Sequence, residues 1–138
     1  MSILDGAQPH ILAINHSPEV LTLLEELLRE EGYRVTTRSH LDRDLRDFST
    51  VSPDLIVIDY MWATDDDNWS LLQLLRMNPA TRDIPIVLCT GAVREAQALE
   101  SHLFEMRIRV VYKPFDIGVL LGVIADALMM RDSIPGDG

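Results

Sequence analysis

Three polar side chains of complementary chemistry each follow an apolar run of the chain. Asp59 follows LIVI, Thr90 follows IVLC, and Lys113 follows VVY. A carboxylate can attack a phosphoryl donor, while a hydroxyl and an ammonium group can stabilise the phosphoryl oxygens, because phosphoryl transfer depends mainly on positioning and electrostatics. Each residue alone also has a structural explanation, as a turn residue, a helix cap or a solvated cation. Three such residues after three separate runs favour one shared site.

These side chains come together only if the apolar runs are strands of one parallel sheet. Helical and strand-like patterns alternate along the chain, which favours βα units. The carboxyl ends of parallel strands lie at one edge of a sheet, so residues that follow the strands share that edge. The predicted fold class is α/β, a flavodoxin-like (βα)5 fold with a five-stranded parallel sheet in the order 2-1-3-4-5. The expected strands cover 10–14, 33–37, 54–58, 84–89 and 107–112.

Clear capping residues are present at the first predicted helix, whereas the other helices are predicted mainly from the spacing of apolar residues. After the first strand, Ser17 is a typical N-cap and Pro18 suits the first helical position. Elsewhere the spacing of apolar residues predicts helices with fewer boundary signals. These helices are expected over 41–48, 70–77, 92–104 and 116–130.

Length and charge predict a single acidic domain. With 138 residues, of which 47% are hydrophobic, the chain is long enough for one core and too short for two ordinary domains. We expect the domain at 8–131, with flexible tails at 1–7 and 132–138. A net charge of −10 opposes direct binding to nucleic acid, because an acidic surface repels phosphates.

Cysteine content and hydropathy indicate a reducing compartment. Cys89 is the single cysteine, which excludes an internal disulfide. No apolar stretch approaches the roughly 20 residues of a membrane span, and the N-terminus lacks the basic region of a signal peptide. We therefore expect a cytoplasmic location without a membrane partner.

The strand-end motifs resemble those of the receiver domain of two-component response regulators. LIVID, IVLCTGA and VVYKPF are similar to the ends of the third, fourth and fifth strands in that family. The resemblance implies that Asp59 accepts a phosphoryl group from a histidine kinase or phosphotransfer protein. It also implies that the Thr90 hydroxyl and the Lys113 ammonium group contact the phosphoryl group. Signalling would then proceed by binding of a downstream protein.

The end of the first strand departs from the family pattern. ILAINHSP carries Asn15 and His16 where the family usually has two acidic residues that hold magnesium. Mg²⁺ prefers hard oxygen ligands, so metal binding is predicted to be weak or absent, with Asp59 and the Met61 backbone as the remaining ligands. No other cofactor is expected. A protonated His16 could supply positive charge in place of the metal, or His16 could simply be a helix-start residue satisfied by hydrogen bonds.

Two further positions bear on signalling. The acidic run at 65–67 is interpreted as a solvated loop rather than as a replacement metal site. Val110 stands where the family usually has an aromatic switch residue. Tyr112 lies nearby, and we expect it to point to the opposite side of the strand from that position.

Three functions from different classes are consistent with these features. The leading one is a stand-alone receiver that is phosphorylated on Asp59 and binds a partner, with a homodimer as a further possibility. The second is a phosphorylation-independent pseudo-receiver that acts as an interaction scaffold. The third is a small enzyme on the same fold, but the sequence contains no Gly-rich phosphate loop and no pairing of a nucleophile with a base.

Overall fold

Five parallel strands form the centre of the computed structural model, which describes residues 8–39, 46–59, 66–113 and 116–132. The strands are β1 (His10–Ile14), β2 (Arg34–Arg38), β3 (Leu55–Asp59), β4 (Ile86–Thr90) and β5 (Ile108–Tyr112). Their order across the sheet is β2-β1-β3-β4-β5, which confirms the predicted flavodoxin-like topology. The strand limits differ from the predicted ones by at most two residues.

Burial explains why β3 and β4 lie in the middle of the sheet. Every side chain of β4 is buried, and in β3 only the last residue, Asp59, is less than fully buried. Strands that are apolar on both faces require cover from helices on both sides. Asp59 and Thr90 are the last residues of these two strands, so both lie at the carboxyl edge of the sheet.

Helices cover both faces of this sheet. They are α1 (Pro18–Glu30), α2 (Arg46–Val51), α3 (Asp66–Met77), α4 (Val93–Ala98), α5 (Glu100–Glu105) and α6 (Ile117–Asp132). The α1/α6 face is the side on which Leu24 and Leu120 pack with the buried side chains Val57 and Cys89. The α3/α5 face is the other side, on which α3 and α5 pack through Leu72, Leu75 and Leu103.

The start of α1 follows the local sequence signals closely. Ser17 has extended backbone angles, and its hydroxyl accepts a hydrogen bond from the Val20 N–H at 3.4 Å. Pro18 occupies the first helical position. The helix is followed by Gly32 at φ +93°, a left-handed conformation that glycine adopts without steric cost. Because α1 begins at Pro18, its capped N-terminus lies directly after the end of β1.

The predicted single helix over 92–104 is wrong, because the structure has two short helices there. α4 ends at Ala98 and α5 begins at Glu100. Between them, the Leu99 N–H bonds to the Ala96 carbonyl at 3.1 Å, a tightened turn in place of the regular helical hydrogen bond. Leu99 also packs against the core cluster of the α3/α5 face, so the turn places its side chain inward.

The predicted orientation of Tyr112 is also wrong. Residues two apart in a strand point to the same face, so Tyr112 lies on the same side of β5 as Val110. Ile108 and Val110 pack with the α3/α5 face, whereas Val111 belongs to the α1/α6 face. The pKa of Tyr112 is raised by burial and, secondly, by Glu100 at the start of α5, which agrees with this placement.

Several sequence-based predictions concern residues outside the described parts of the chain. These are residues 1–7 and 133–138 of the predicted tails and residues 60–65, which include Met61 and Asp65. The rest of the acidic run, Asp66 and Asp67, begins α3, so its predicted place in a loop is wrong. Within the described residues, no helix has the length and apolar character needed to cross a membrane.

Candidate functional site

Asp59 and Lys113 form an ion pair at the carboxyl edge of the sheet. The Lys113 ammonium donates to Oδ1 of Asp59 across β4, which lies between their two strands. The Asp59 side chain is only 7% exposed and that of Lys113 is 39% exposed. A carboxylate withdrawn from water to this degree requires a charged or hydrogen-bonding partner. Lys113 supplies that partner, and its own backbone N–H is held by the Thr90 carbonyl at 2.9 Å.

A cavity of about 260 Å³ opens beside this ion pair, on the α1/α6 face. In the part of the chain that the structure describes, its polar lining consists of Asn15, Asp59 and Lys113, together with the Cys89 thiol. The other described lining residues are apolar and come from the sheet, from the first two turns of α1 and from the first turn of α6: Ile14, Val20, Leu24, Val57 and Leu120. Apolar walls lower the local dielectric constant and strengthen electrostatic interactions within the cavity.

Asn15 enters this cavity in a defined orientation. Its backbone N–H donates to the Arg38 carbonyl at 3.1 Å, which continues the β1–β2 pairing by one residue. Its side-chain oxygen Oδ1 accepts from the Ser17 N–H at 2.8 Å. A backbone N–H can only donate, so the amide atom that it contacts is the oxygen. The amide nitrogen of Asn15, with two N–H donors, is therefore on the other side from Ser17.

His16 does not join the site in the way its neighbour does. The residue is exposed and is not one of the described residues that line the cavity. The sequence placed Asn15 and His16 side by side at the strand end, yet the structure brings only Asn15 to Asp59 and Lys113.

Thr90 lies at the correct strand end, but its side chain is turned away from the cavity. It is completely buried, and its hydroxyl oxygen accepts from the Ala92 N–H at 3.0 Å. By strand alternation Thr90 shares the α3/α5 face with Leu88, whereas Asp59 shares the α1/α6 face with Val57. Thr90 therefore contacts the ion pair through its backbone carbonyl to Lys113, and it is absent from the cavity lining among the described residues.

Cys89 is a site residue that the sequence argument did not single out. It pairs in register with Asp59 and lines the cavity. Burial, and secondly the neighbouring Asp59, raise the pKa of the thiol to about 12. The neutral thiol is a poor nucleophile, because the thiolate is the reactive form. The register of β3 and β4 would have revealed this neighbour, but strand register is not visible in one sequence.

The described residues do not form a magnesium site. No group of three or more His, Cys, Asp or Glu side chains within the described ranges is placed to hold a metal ion. The Asp59 carboxylate is paired with Lys113, and the Asn15 oxygen already accepts one hydrogen bond, from the Ser17 N–H. Mg²⁺ requires several hard oxygen ligands in octahedral geometry, and this donor set lacks them. Met61 lies outside the described residues, and weak magnesium binding stays a prediction.

Comparisons with known proteins agree with the fold and the strand-end motifs. The family model for the response regulator receiver domain matches residues 11–125. Transcriptional regulatory protein BaeR of Escherichia coli is 34% identical over 96 residues, covering 70% of this chain but only 38% of BaeR. Two-component response regulator ORR3 of Oryza sativa is 29% identical over 120 residues, covering 82% of this chain and 88% of ORR3.

A solved structure gives the same architecture. The signal receiver domain of a signal transduction histidine kinase from Syntrophus aciditrophicus superposes with a TM-score of 0.72 and 26% sequence identity. The superposition covers 88% of this chain and 90% of that domain. Sheet, helices and strand-end residues therefore agree with one family of domains.

Proposed function

Because this chain belongs to the response regulator receiver domain family, we propose that it accepts a phosphoryl group on Asp59 and signals by binding a partner protein. The ion pair between Asp59 and Lys113 carries the proposal, since it places a carboxylate and a compact cation together at the carboxyl edge of the sheet. The donor is a histidine kinase or a phosphotransfer protein. We further propose a cytoplasmic, regulatory role rather than an enzymatic one, and the stand-alone and homodimeric forms stay predictions.

The ion pair accounts for the resting state and for the transfer. At rest, Lys113 neutralises a carboxylate that is 7% exposed. During transfer, an Asp59 oxygen bonds to phosphorus while the bond from phosphorus to the donor nitrogen breaks. That nitrogen keeps the electron pair and takes up a proton from solvent. The negative charge then lies on the phosphoryl oxygens, and the Lys113 ammonium group can pair with them in place of the carboxylate.

Two observations favour a second candidate function, a phosphorylation-independent scaffold. Thr90 is fully buried with its hydroxyl oxygen already bonded to Ala92. The usual acidic pair of the family is replaced by Asn15 and His16. The scaffold requires the fold and an interaction surface, but no transfer to Asp59.

Intact-mass measurement after incubation with acetyl phosphate separates the two candidates. The proposal predicts one added phosphoryl group on the wild type and none on Asp59→Asn. Asp83→Asn is the matched control, because Asp83 is an exposed carboxylate just before β4, at the opposite end of that strand from the site. Labelling of Asp59→Asn equal to that of the wild type would contradict the proposal, and a wild type that neither acetyl phosphate nor a histidine kinase labels would support the scaffold.

A further inference from the structure

We propose that the side-chain amide of Asn15 holds the phosphoryl group through its N–H donors, in the position that relatives give to a metal ion. The inference rests on the proposed function, because it concerns the same site and the same transfer to Asp59. Asn15 lines the cavity together with Asp59 and Lys113. Its role is thus that of an anion-binding residue rather than a metal ligand.

The orientation of the amide supports this role. Oδ1 accepts from the Ser17 N–H at 2.8 Å, so the oxygen faces the start of α1. The backbone of Asn15 is also fixed, by its hydrogen bond to Arg38 at 3.1 Å. With the oxygen engaged at Ser17 and the backbone held, the N–H donors are the part of the amide left to bind an oxygen in the cavity. Donors of this kind match the oxygens of a phosphoryl group and repel a cation.

The charge of the cavity lining also favours an anion over a metal ion. Among the described residues, its ionisable lining consists of Asp59, Lys113 and Cys89, and burial raises the pKa of the Cys89 thiol to about 12. The pair of Asp59 and Lys113 is neutral overall, and the thiol is uncharged at neutral pH. This described part of the lining carries no excess negative charge, so it offers a divalent cation little attraction. An arriving phosphoryl group instead meets one ammonium group and one amide within mostly apolar walls.

The chemistry requires no co-reactant beyond the phosphoryl donor. With acetyl phosphate, an Asp59 oxygen bonds to phosphorus, the bond from phosphorus to the acetate oxygen breaks, and acetate leaves with the electron pair. The phosphoryl oxygens retain their charge throughout. Lys113 and the Asn15 amide stabilise that charge by hydrogen bonds, which are strong when one partner is ionised.

The experiment measures the rate of acetyl phosphate labelling with EDTA and, separately, with magnesium. The wild type is expected to react at the same rate, within about threefold, in both conditions. Asn15→Asp retains an oxygen for the Ser17 N–H but loses the N–H donors, and its rate in EDTA should fall by about 100-fold, the usual effect of removing one anion-hole donor. Magnesium should restore much of that rate, because the new carboxylate is a hard oxygen ligand.

Two further variants separate the loss of the amide donors from the added negative charge and from changes at the neighbouring residue. Asn15→Ala removes the donors without adding a charge, and it should also lose rate in EDTA by about 100-fold while gaining nothing from magnesium. His16→Ala changes the exposed neighbour and should label like the wild type in EDTA. Circular dichroism melts show whether each variant remains folded.

A spectroscopic readout tests the contact without relying on rates. In ¹⁵N-labelled protein, the side-chain NH₂ resonances of Asn15 should shift on phosphorylation in EDTA. Unshifted resonances, or a wild-type rate that drops tenfold or more on chelation, would overturn the inference. Asn15→Ala labelled as fast as the wild type would do the same. A wild type that is never labelled overturns the proposed function itself, so the two failures are distinguishable.

Discussion

At the residue scale, the proposed transfer needs one carboxylate, and Asp59 is the one carboxylate among the described residues of the cavity lining. The Cys89 thiol beside Asp59 has a pKa of about 12 because of burial and, secondly, Asp59. A thiolate at this position would compete for electrophiles and add negative charge next to the phosphoryl group. Burial of Cys89 in the middle of the sheet therefore protects the chemistry of its neighbour.

Cys89 should resist alkylation in the folded protein. At pH 8 the thiolate is a very small fraction of a thiol with a pKa of about 12, so iodoacetamide should react far more slowly than with the protein in urea. The native rate should rise with pH towards the pKa. Mass spectrometry gives both rates, and Cys89→Ser is the blank. Equally fast native and denatured labelling at pH 8 would contradict a buried, neutral thiol.

At the element scale, side-chain contacts at the amino end of β1 help to hold the site together at its carboxyl end. The backbone N–H of His10 donates to the side-chain oxygen Oδ2 of Asp54, just before β3, at 2.8 Å. The His10 ring nitrogen Nε2 lies 2.7 Å from the Thr36 hydroxyl of β2. Because parallel strands keep a fixed register, these contacts also fix where Asn15 and Asp59 stand at the other edge.

Acid should destabilise the protein through His10. Burial, and secondly Arg34, lower the pKa of His10 below 6.5, against smaller opposing effects of Asp54 and the Val51 backbone. The unfolded chain therefore binds this proton first as pH falls below 6.5, so the contribution of His10 is present above that pH and is lost below it.

Urea unfolding at pH 7.5 and pH 5.5 measures this loss. We expect the free energy of unfolding to fall between the two conditions by more in the wild type than in His10→Gln. His16→Ala, which alters an exposed histidine, should behave like the wild type. An identical fall in His10→Gln and in the wild type would show that His10 does not carry the dependence.

At the scale of the whole molecule, the sheet order was predictable from the sequence. Continuous apolar runs such as LIVI can be buried on both faces only in the middle of a covered parallel sheet, and all side chains of β4 are indeed buried. The division between α4 and α5 was not predictable, because the turn at Leu99 is set by packing against the core. Local spacing alone fits one continuous helix equally well.

The site was predictable in its residue types and less so in its geometry. Asp59 and Lys113 lie together because both follow strands of one sheet. The hydroxyl of Thr90 points elsewhere, since exact strand limits decide which face a terminal residue takes. The Asn15 amide takes its direction from its hydrogen bond to the Ser17 N–H, an Asx turn of the kind that Asn favours, but the sequence alone does not show whether Asn15 adopts it.

Mapping the acyl phosphate on the intact molecule tests the central claim most directly. Borohydride reduces an aspartyl phosphate to homoserine, which marks the residue permanently for peptide sequencing by mass spectrometry. After phosphorylation by acetyl phosphate, the account predicts homoserine at position 59 and at no other aspartate. Homoserine at another position, or an unmodified peptide at 59 in a sample that has gained the mass of a phosphoryl group, would contradict it.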